Sequence, residues 1–564
     1  MKINLKIFKK SIRKIKISKP IDKKGFVIFQ IDGLSKEALD KAMSRNLMPN
    51  LKKMLAIKGF RMDEYLTGVP SDTPFFQAGL LYGDNNNIPG FRWIEKQTGE
   101  EIIFKNPASA GHIEEILSKK HAGLLKGGSS YVNLFSGGAS RATFTLSTFS
   151  IRYLFKKKVR NFDIFIIFIF HLVTFLKTIF YVFFEFLFEL WEKFLDFVWA
   201  RSARPEGLFP FARIMSNVIF KEIETFGAIM DISRGVPSVY LNYTGYDELS
   251  HHRGPYSMSA LRALKPIDRK IKYIFNEIKK SRRKYDLFIL SDHGHTPSLP
   301  FVHLNYDKKL ENIISEFLTE NKKSAQFSVY EFDTGYNASL KRLMIYVSDF
   351  FKKGACSSIY HKFFDIIEEN ITLKGKEEIY LNWGKEGKII YIMNSGPMSN
   401  LYFSDKPFKM TIENIESFYP GLISKFTQIK HIGLIVGHNK NKEIVVFDKD
   451  SELFKPFDEV KIFDSRDLFF KNMLAKLETD EKKNILIGSI KDFCNFKNSG
   501  DLILFGNYDG KYIVNFENQF GAHGGAGGEQ NIPFAVYSES IRFNFGEINN
   551  SCQIYDFLYN NYVA

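Results

Sequence analysis

Three short apolar runs lie along the chain, at residues 25–31, 238–243 and 285–290. All three are rich in β-branched and aromatic residues, which is typical of strands buried on both faces of a parallel sheet. The first run ends at Asp32, and Asp292 follows the end of the third. The pattern therefore predicts buried strands whose carboxyl ends carry acidic side chains.

Amphipathic patterns typical of helices lie between these runs, at residues 35–55 and 257–280. Strands that alternate with helices predict an α/β fold with a doubly wound, mainly parallel sheet. Ligands of such sheets bind outside the carboxyl ends of the strands. The acidic strand ends are therefore where a functional site is expected.

A long apolar stretch interrupts this alternation at residues 162–199, which contain no glycine and no proline. Residues 164–184 are almost wholly apolar, which is long enough for one bilayer crossing. A single crossing would put Asp32 and Asp292 on opposite sides of the membrane. The stretch is therefore expected to return or to lie in the plane of the interface.

Polar residues recur every three to four positions in the second half of this stretch: Tyr181, Glu185, Glu189, Glu192, Lys193 and Asp196. This spacing puts one polar stripe on an otherwise apolar helix. An in-plane or re-entrant membrane anchor is the favoured interpretation. The alternative is a helical hairpin packed on the protein itself or on a second subunit.

The net charge of +15 favours anionic binding partners. Lysines are dense in residues 1–24 and in residues 156–160, directly before the apolar stretch. That position favours an anionic membrane surface, and no specific nucleic-acid binding is expected. No apolar signal-peptide core follows the basic start, so the cytoplasmic face of a membrane is the expected location. The three cysteines lack CxxC spacing and predict no thiolate metal site.

Composition shifts divide the chain into six predicted parts. These are a basic N-terminal tail (1–24), the first part of the catalytic core (25–150), an apolar and amphipathic membrane-associating insertion (151–205), the second part of the core (206–300), a mixed α/β insertion or cap (301–500) and the C-terminal part of the core (501–564). The oligomeric state is not predicted by any pattern.

Oxygen and nitrogen donors suited to a divalent metal lie at or near the predicted strand ends and in separate loops: Asp32, Thr73, Asp247, His251, Asp292, His293 and His523. Carboxylates and imidazoles are the ligands that zinc and manganese use in proteins. Each residue alone says little, because an Asp-Gly pair is usually a turn and a loop histidine is usually only polar. Their recurrence at several strand ends is the signal.

Five segments carry a family resemblance, and they occur in the family's order: residues 32–33 with 48–50, then 70–73, 247–255, 291–294 and 521–524. The fourth, Ser-Asp-His-Gly, is the most recognisable. Together they resemble the type I phosphodiesterase and nucleotide pyrophosphatase branch of the alkaline phosphatase superfamily. The resemblance implies an alkaline phosphatase-like core and an enzyme that hydrolyses phosphate esters.

The resemblance also implies roles for individual residues. One divalent cation is expected to be held by Asp32, Thr73, Asp292 and His293, and a second by Asp247, His251 and His523. Zinc is favoured and manganese is allowed. Thr73 is the implied nucleophile, which would form a covalent phospho-threonine during hydrolysis of a phosphodiester that is nucleotide-like or lipid-linked.

The sequence departs from the family pattern in two places near the nucleophile. Pro74 follows Thr73 directly, where the family has an aromatic residue before the proline. Where the pyrophosphatase branch has an asparagine that stabilises the transition state, this chain reads Gly-Phe-Arg-Trp at residues 90–93. Arg92 is a candidate replacement because a guanidinium binds phosphate oxygens with two hydrogen bonds. A purely structural arginine is the alternative.

Other readings of the function stay open at this level. A phosphomonoesterase or a phosphoglycerol-type transferase of the same superfamily would use the same ligand set. A non-catalytic, membrane-associated binding protein would explain residues 162–199 but not the intact set of donors. Segments 90–93 and 133–138 are similar to those of a bacterial membrane-associated subgroup. His252 and His295 lie beside motif histidines and are expected either to contact substrate, to support a ligand or to be exposed.

Overall fold

The structure, a computed structural model, describes residues 20–56, 59–148, 172–198, 209–320, 327–331, 388–404, 406–448, 452–460 and 468–564. The basic tail predicted at residues 1–24 and the predicted insertion at residues 151–205 lie partly outside these ranges.

Within the described residues the strands are β1 Ile21–Ile31, β2 Phe60–Glu64, β3 Arg92–Glu95, β4 Glu100–Ile103, β5 Ser129–Tyr131, β6 Arg141–Thr143, β7 Ser238–Tyr243, β8 Arg283–Leu290, β9 Thr296–Pro300, β10 Phe327–Glu331, β11 Lys388–Ser395, β12 Met398–Phe403, β13 Ile432–His438, β14 Ile444–Asp448, β15 Leu453–Pro456, β16 Leu502–Gly506, β17 Ile513–Asn515, β18 Gly521–Ala522 and β19 Phe534–Ser538. The α-helices are Lys36–Ser44, Pro49–Ala56, Thr73–Tyr82, Pro107–Lys120, Leu172–Val198, Phe209–Ile214, Lys221–Arg234, Gly245–Arg253, Met258–Ile278, Phe301–Leu304, Leu310–Glu320, Ile412–Phe418, Leu422–Gln428, Leu468–Leu474, Asp480–Asn495 and Cys552–Leu558.

A seven-stranded sheet with the order β2-β19-β8-β1-β7-β5-β6 forms the centre of the fold. The five strands from β8 to β6 are parallel, and β19 pairs antiparallel with both β8 and β2. The predicted α/β fold with a mainly parallel sheet is therefore confirmed. The three apolar runs of the sequence become β1, β7 and β8, which are neighbours.

Alternate residues of the buried strands pack into two different cores, one on each face of the central sheet. Phe26 and Ile28 of β1 pack with the helices Thr73–Tyr82 and Cys552–Leu558. Val27 and Phe29 pack on the opposite face, which the helices Lys36–Ser44, Pro49–Ala56, Lys221–Arg234 and Met258–Ile278 cover. Because both faces are covered, the runs are apolar throughout rather than alternating.

A second sheet lies beyond the central one, with the order β10-β11-β12-β16-β13-β14-β15. All of its pairs are antiparallel except β10 with β11. β16, which begins the segment predicted as the C-terminal part of the core, lies between β12 and β13. Strand pairing, not position along the chain, decides which sheet a segment joins.

The described part of the predicted apolar insertion is one helix of 27 residues, Leu172–Val198. Among the helices of the described ranges, none combines the length and the apolar composition that a bilayer crossing needs. The long apolar insertion is therefore not supported as predicted, because charged side chains interrupt this helix along one face.

A buried ion pair joins the central core to the second sheet. Lys96 Nζ lies 2.7 Å from both carboxylate oxygens of Asp501 and 2.7 Å from the carbonyl oxygen of Phe408. The same carboxylate accepts hydrogen bonds from the backbone N–H groups of Phe403 and Met410, each at 2.8 Å. One aspartate thus ties the β3 region to two segments of the second sheet.

We expect Lys96→Met to lower the free energy of unfolding by about 3 kcal/mol, because it leaves the buried Asp501 carboxylate without its cation. Urea denaturation followed by circular dichroism measures the change. Lys119→Met is the matched control, because it removes an exposed i,i+4 ion pair with Glu115. The Lys119 side chain is 70% exposed and that of Glu115 is 64% exposed. An equal effect of the two variants would contradict the role given to the buried pair.

Candidate metal centre

The carboxyl ends of β8, β1 and β7 bring three carboxylates to one edge of the central sheet. Asp32 follows β1 directly, Asp292 follows β8 after one serine, and Asp247 lies in the first turn of the helix after β7. Asp32 accepts a hydrogen bond from Asn242 Nδ2 at 2.8 Å, and Asp292 accepts one from the Gly33 N–H at 3.2 Å. The acidic strand ends predicted from the sequence therefore lie together.

Thr73 lies beside this edge at the first position of the helix Thr73–Tyr82. Asp72 caps the helix by accepting a hydrogen bond from the Phe75 N–H at 3.0 Å. The Thr73 hydroxyl lies 3.3 Å from Asp32 Oδ1 and 3.3 Å from His293 Nε2. The threonine hydroxyl thus faces the donors at the positive end of a helix dipole.

Four histidines share one hydrogen-bonding arrangement around the carboxylates. In each, ring Nδ1 lies 2.9 to 3.0 Å from a backbone carbonyl oxygen: His251 on Gly521, His293 on Gly294, His295 on Gly33 and His523 on Ser71. A carbonyl oxygen only accepts, so Nδ1 carries the proton and Nε2 presents its lone pair. This is the arrangement by which proteins orient a metal-binding imidazole.

The free donor atoms form two overlapping groups. Ligand atoms of Asp247, His251, His295 and His523 lie within 4.8 Å of one another, and so do those of Asp32, Asp247 and His293. His251 Nε2 and His523 Nε2 are only 3.0 Å apart. Two unprotonated ring nitrogens at that distance repel each other unless a cation or a proton lies between them.

Three buried polar atoms of the cluster have no hydrogen-bond partner in the described part of the chain. Asp247 Oδ1, Asp292 Oδ2 and His295 Nε2 have no hydrogen-bond partner although all three atoms are buried. Within the described residues, the ion-pair partners of Asp32, Asp247 and Asp292 are histidines, with no lysine or arginine among them. The residues present therefore fit divalent cations, which take lone pairs from both carboxylate and imidazole.

The pKa values shift as expected for donors that lack a countercharge. Burial, with the neighbouring carboxylates Asp292 and Asp247, raises the pKa of Asp32 well above its usual value. Burial also raises the pKa of Asp247 and lowers the pKa values of His295 and His523. Positive charge at the centre would offset the cost of burying the carboxylates as anions.

Sequence reasoning treated His295 as a neighbour of the ligands, but the structure puts its Nε2 inside the first donor group. His293 and His295 flank Gly294 and so emerge on one side of the loop after β8. Gly33 has a φ of +69°, and a Cβ there would lie 2.5 Å from the His295 ring. A histidine two positions after a motif histidine was the available signal. His252, by contrast, stacks on Phe209 with ring centroids 3.6 Å apart.

The second sheet holds His523 in place. Gly396 forms the turn between β11 and β12, and a Cβ there would lie 2.0 Å from the His523 carbonyl oxygen. β18, which ends one residue before His523, pairs with β9. His523 is therefore held at the centre by the β11–β12 turn on one side and by the pairing of β18 with β9 on the other.

Arg92 is buried on β3, and its guanidinium donates to Glu517 Oε1 at 2.9 Å. The neighbouring Phe91 ring lies 6.1 Å from the His523 ring, edge to face. Arg92 is thus next to the cluster but ion-paired, and its contact with a substrate phosphate stays a prediction.

Comparisons with solved structures find full-length but distant similarities. Phosphonoacetate hydrolase from Sinorhizobium meliloti 1021, in complex with phosphonoformate, is 11% identical over 97% of this chain and 96% of that chain, with a TM-score of 0.45. A mutant of the alkaline phosphatase PafA is 12% identical over 96% of both chains, with a TM-score of 0.45. Murine ectonucleotide pyrophosphatase / phosphodiesterase 5 is 10% identical over 95% and 94%, with a TM-score of 0.41. No curated protein matches the sequence.

The sequence profile of the type I phosphodiesterase / nucleotide pyrophosphatase family matches residues 26–329, more than half of the 564-residue chain. That range contains the donors from Asp32 to His295. The resemblance drawn from the motifs is thereby confirmed. The protein belongs to the type I phosphodiesterase / nucleotide pyrophosphatase family of the alkaline phosphatase superfamily, and it is a metal-dependent hydrolase of phosphoester bonds.

Proposed function

We propose that the protein hydrolyses a phosphodiester at a two-cation centre with Thr73 as the nucleophile. The observation that carries the proposal is the position of the Thr73 hydroxyl, 3.3 Å from Asp32 Oδ1 and 3.3 Å from His293 Nε2. A single hydroxyl beside a cluster of unpartnered metal donors is the arrangement expected of an activated nucleophile.

The cluster divides into two sets of donors. Asp32, Thr73, Asp292 and His293 would hold one cation, and Asp247, His251, His523 and the added His295 would hold the other. Cations bound there supply positive charge to an anionic phosphoryl group and to an ionised hydroxyl. The imidazole-rich second set favours zinc, and the carboxylates allow manganese.

Thr73 is prepared for attack by its surroundings. The Thr73 hydroxyl donates a hydrogen bond to Asp32 Oδ1, so the oxygen lone pairs point away from that carboxylate. The start of the helix adds a positive potential that favours the threonine oxyanion and the incoming phosphate. Asp72 accepts a hydrogen bond from the Phe75 N–H in the first turn of the helix and so helps to fix the position of Thr73.

The reaction would proceed in two displacements. Thr73 Oγ1 forms a bond to phosphorus while the ester bond to the leaving oxygen breaks, which gives an alcohol product and a phospho-threonine. Water then forms a bond to phosphorus and the bond to Oγ1 breaks, which returns Thr73. The side chains of Asp247 and His251 are each 15% exposed, whereas that of His293 is fully buried. Water and leaving group would therefore pass on the Asp247 side.

Charge balance supports a diester rather than a monoester. Before Thr73 loses its proton, two dications would exceed the three ligand carboxylates by one positive charge, which matches the single negative charge of a diester. A monoester dianion would need a further cation, and Arg92 is already paired with Glu517. A nucleotide-like or lipid-linked leaving group is consistent with this count.

Thr73→Ala should lower turnover of bis-p-nitrophenyl phosphate by at least about a thousandfold, because the attacking oxygen is removed. Metal content, measured by mass spectrometry, should change little since the other donors remain. Thr98→Ala, in the exposed β3–β4 turn, is the control and should keep full activity. Retained turnover in the Thr73 variant would reject the mechanism.

His295→Asn should weaken zinc binding about 10- to 100-fold, because the variant removes a ring nitrogen from the second donor set. Competition with a chromogenic chelator measures the affinity without reference to activity. His112→Asn replaces an exposed histidine and serves as the control. Unchanged affinity in the His295 variant would exclude that residue from the donors.

The wild-type enzyme should show a kcat/KM at least about tenfold higher for bis-p-nitrophenyl phosphate than for p-nitrophenyl phosphate. Excess EDTA should abolish both activities, and added zinc should restore them. A higher value for the monoester would favour the phosphomonoesterase alternative and contradict the charge balance.

A further inference from the structure

The helix Leu172–Val198 exposes an apolar face to the surface and buries charged side chains on the opposite face. Its apolar side chains lie 41% to 57% exposed: Leu176, Ile179, Phe180, Phe183, Phe184, Phe186, Leu187, Leu190, Trp191, Phe194 and Val198. We call these side chains the outer face. An apolar surface of this size on a soluble domain usually marks a contact with another molecule or a membrane.

A buried ion cluster fixes this orientation. Arg213 donates to Glu185, Glu189 and Glu192 at 2.7, 2.6 and 2.5 Å, and Arg253 donates to Glu189 at 2.6 Å. The three glutamates of the polar stripe predicted from the sequence therefore point into the protein. The outer face cannot rotate inward without breaking these pairs, which would leave buried charges uncompensated.

The outer face is too wide for the narrow seam of a helix pair. At about 100° per residue, its side chains cover roughly half of the helix circumference. A two-helix seam uses a narrower stripe. A surface of this width, rich in phenylalanine and carrying one tryptophan, fits the boundary between headgroups and acyl chains.

A cationic cavity adjoins the same helix. Its volume is about 570 Å³, and it lies between Leu172–Val198 and Met258–Ile278. Two carboxylates, Glu185 and Glu222, line it together with seven cations: Lys177, Arg213, Lys221, Arg262, Lys265, Arg269 and Lys270. Arg262, Lys265 and Arg269 are exposed and recur every three to four residues, so they form one row along the helix Met258–Ile278.

Lys221 is the buried member of this lining. It is only 8% exposed, and its Nζ makes no hydrogen bond or ion pair within the described residues. Burial lowers its pKa to about 8. Its neighbour Lys270 is instead paired with Glu222 at 2.6 Å. The cavity therefore contains a buried ammonium group that makes no close ion pair, although the carboxylates of Glu222, Glu185 and Glu224 act on it from a distance.

We propose that the outer face lies in the interfacial plane of a membrane containing anionic phospholipid, and that the cavity receives a lipid headgroup phosphate. The row of cations would lie at the level of the headgroups while the phenylalanine side chains enter the acyl boundary. A second copy of the chain is disfavoured as the occupant, because a two-fold contact repeats the same surface on both sides and supplies no anion for the cationic row.

Flotation of the full chain with vesicles tests the proposal. The chain should bind vesicles that contain 30% phosphatidylglycerol, and binding should fall at least about tenfold on pure phosphatidylcholine or in the variant Arg262→Gln/Lys265→Gln/Arg269→Gln. Phe183→Ser/Leu187→Ser/Phe194→Ser should lose binding to both vesicles. These residues are exposed, so thermal stability should not change.

Matched controls sharpen the comparison. Phe408→Ser/Leu453→Ser/Leu468→Ser replaces residues that are 57%, 63% and 66% exposed elsewhere on the surface, and should bind as the wild type does. Lys430→Gln/Lys440→Gln/Lys442→Gln, on the second-sheet side, is the control for charge.

Four outcomes would overturn the proposal. The first is absence of vesicle binding by the wild type, and the second is unchanged binding in the variant Arg262→Gln/Lys265→Gln/Arg269→Gln. The third is a dimer in light scattering that only the variant Phe183→Ser/Leu187→Ser/Phe194→Ser dissociates. The fourth is a loss of thermal stability in that same variant, which would mean that the outer face packs within the chain. Titration with soluble glycerol phosphate separates the sources of phosphate. If the chain binds glycerol phosphate but no vesicles, the membrane is rejected as the source of the phosphate.

Discussion

Three carboxylates and four imidazoles face one another at the carboxyl edge of the central sheet, and within the described part of the chain no lysine or arginine is among their ion-pair partners. This arrangement is unfavourable in the protein alone, because like charges and lone pairs are buried together. The strand order β8-β1-β7 produces it by placing three acidic strand ends side by side. Divalent cations bound there would stabilise the same arrangement, so that folding energy and the proposed chemistry would depend on one set of contacts.

The structure treats charge in two opposite ways. At the metal centre, the protein leaves donor atoms such as Asp247 Oδ1 unpartnered and requires cations from solution. Beneath the helix Leu172–Val198, it compensates buried glutamates internally through Arg213 and Arg253. The first arrangement serves chemistry, since free donors are needed for binding. The second holds a helix in one orientation and presents its apolar side outward.

The second sheet does more than cover the central one. Its β11–β12 turn contacts the His523 backbone at Gly396, and its β16 end carries the Asp501 carboxylate that binds Lys96. The position of the last histidine therefore depends on the packing of two sheets formed from distant parts of the chain. Arg92 of β3 and Glu517, which follows β17, likewise pair across a long separation in the chain.

The sequence by itself determined the buried strands β1, β7 and β8, because runs of apolar residues carry their own local signal. It also determined that Asp32 and Asp292 follow strand ends, and the family resemblance rested on such segments. Only the tertiary structure decided that His295 joins the donors, that Arg92 pairs with Glu517, and that the three glutamates of the long helix point inward. Each of these depends on contacts between residues far apart in the chain, and no local pattern of polar and apolar positions encodes which partner a side chain will meet.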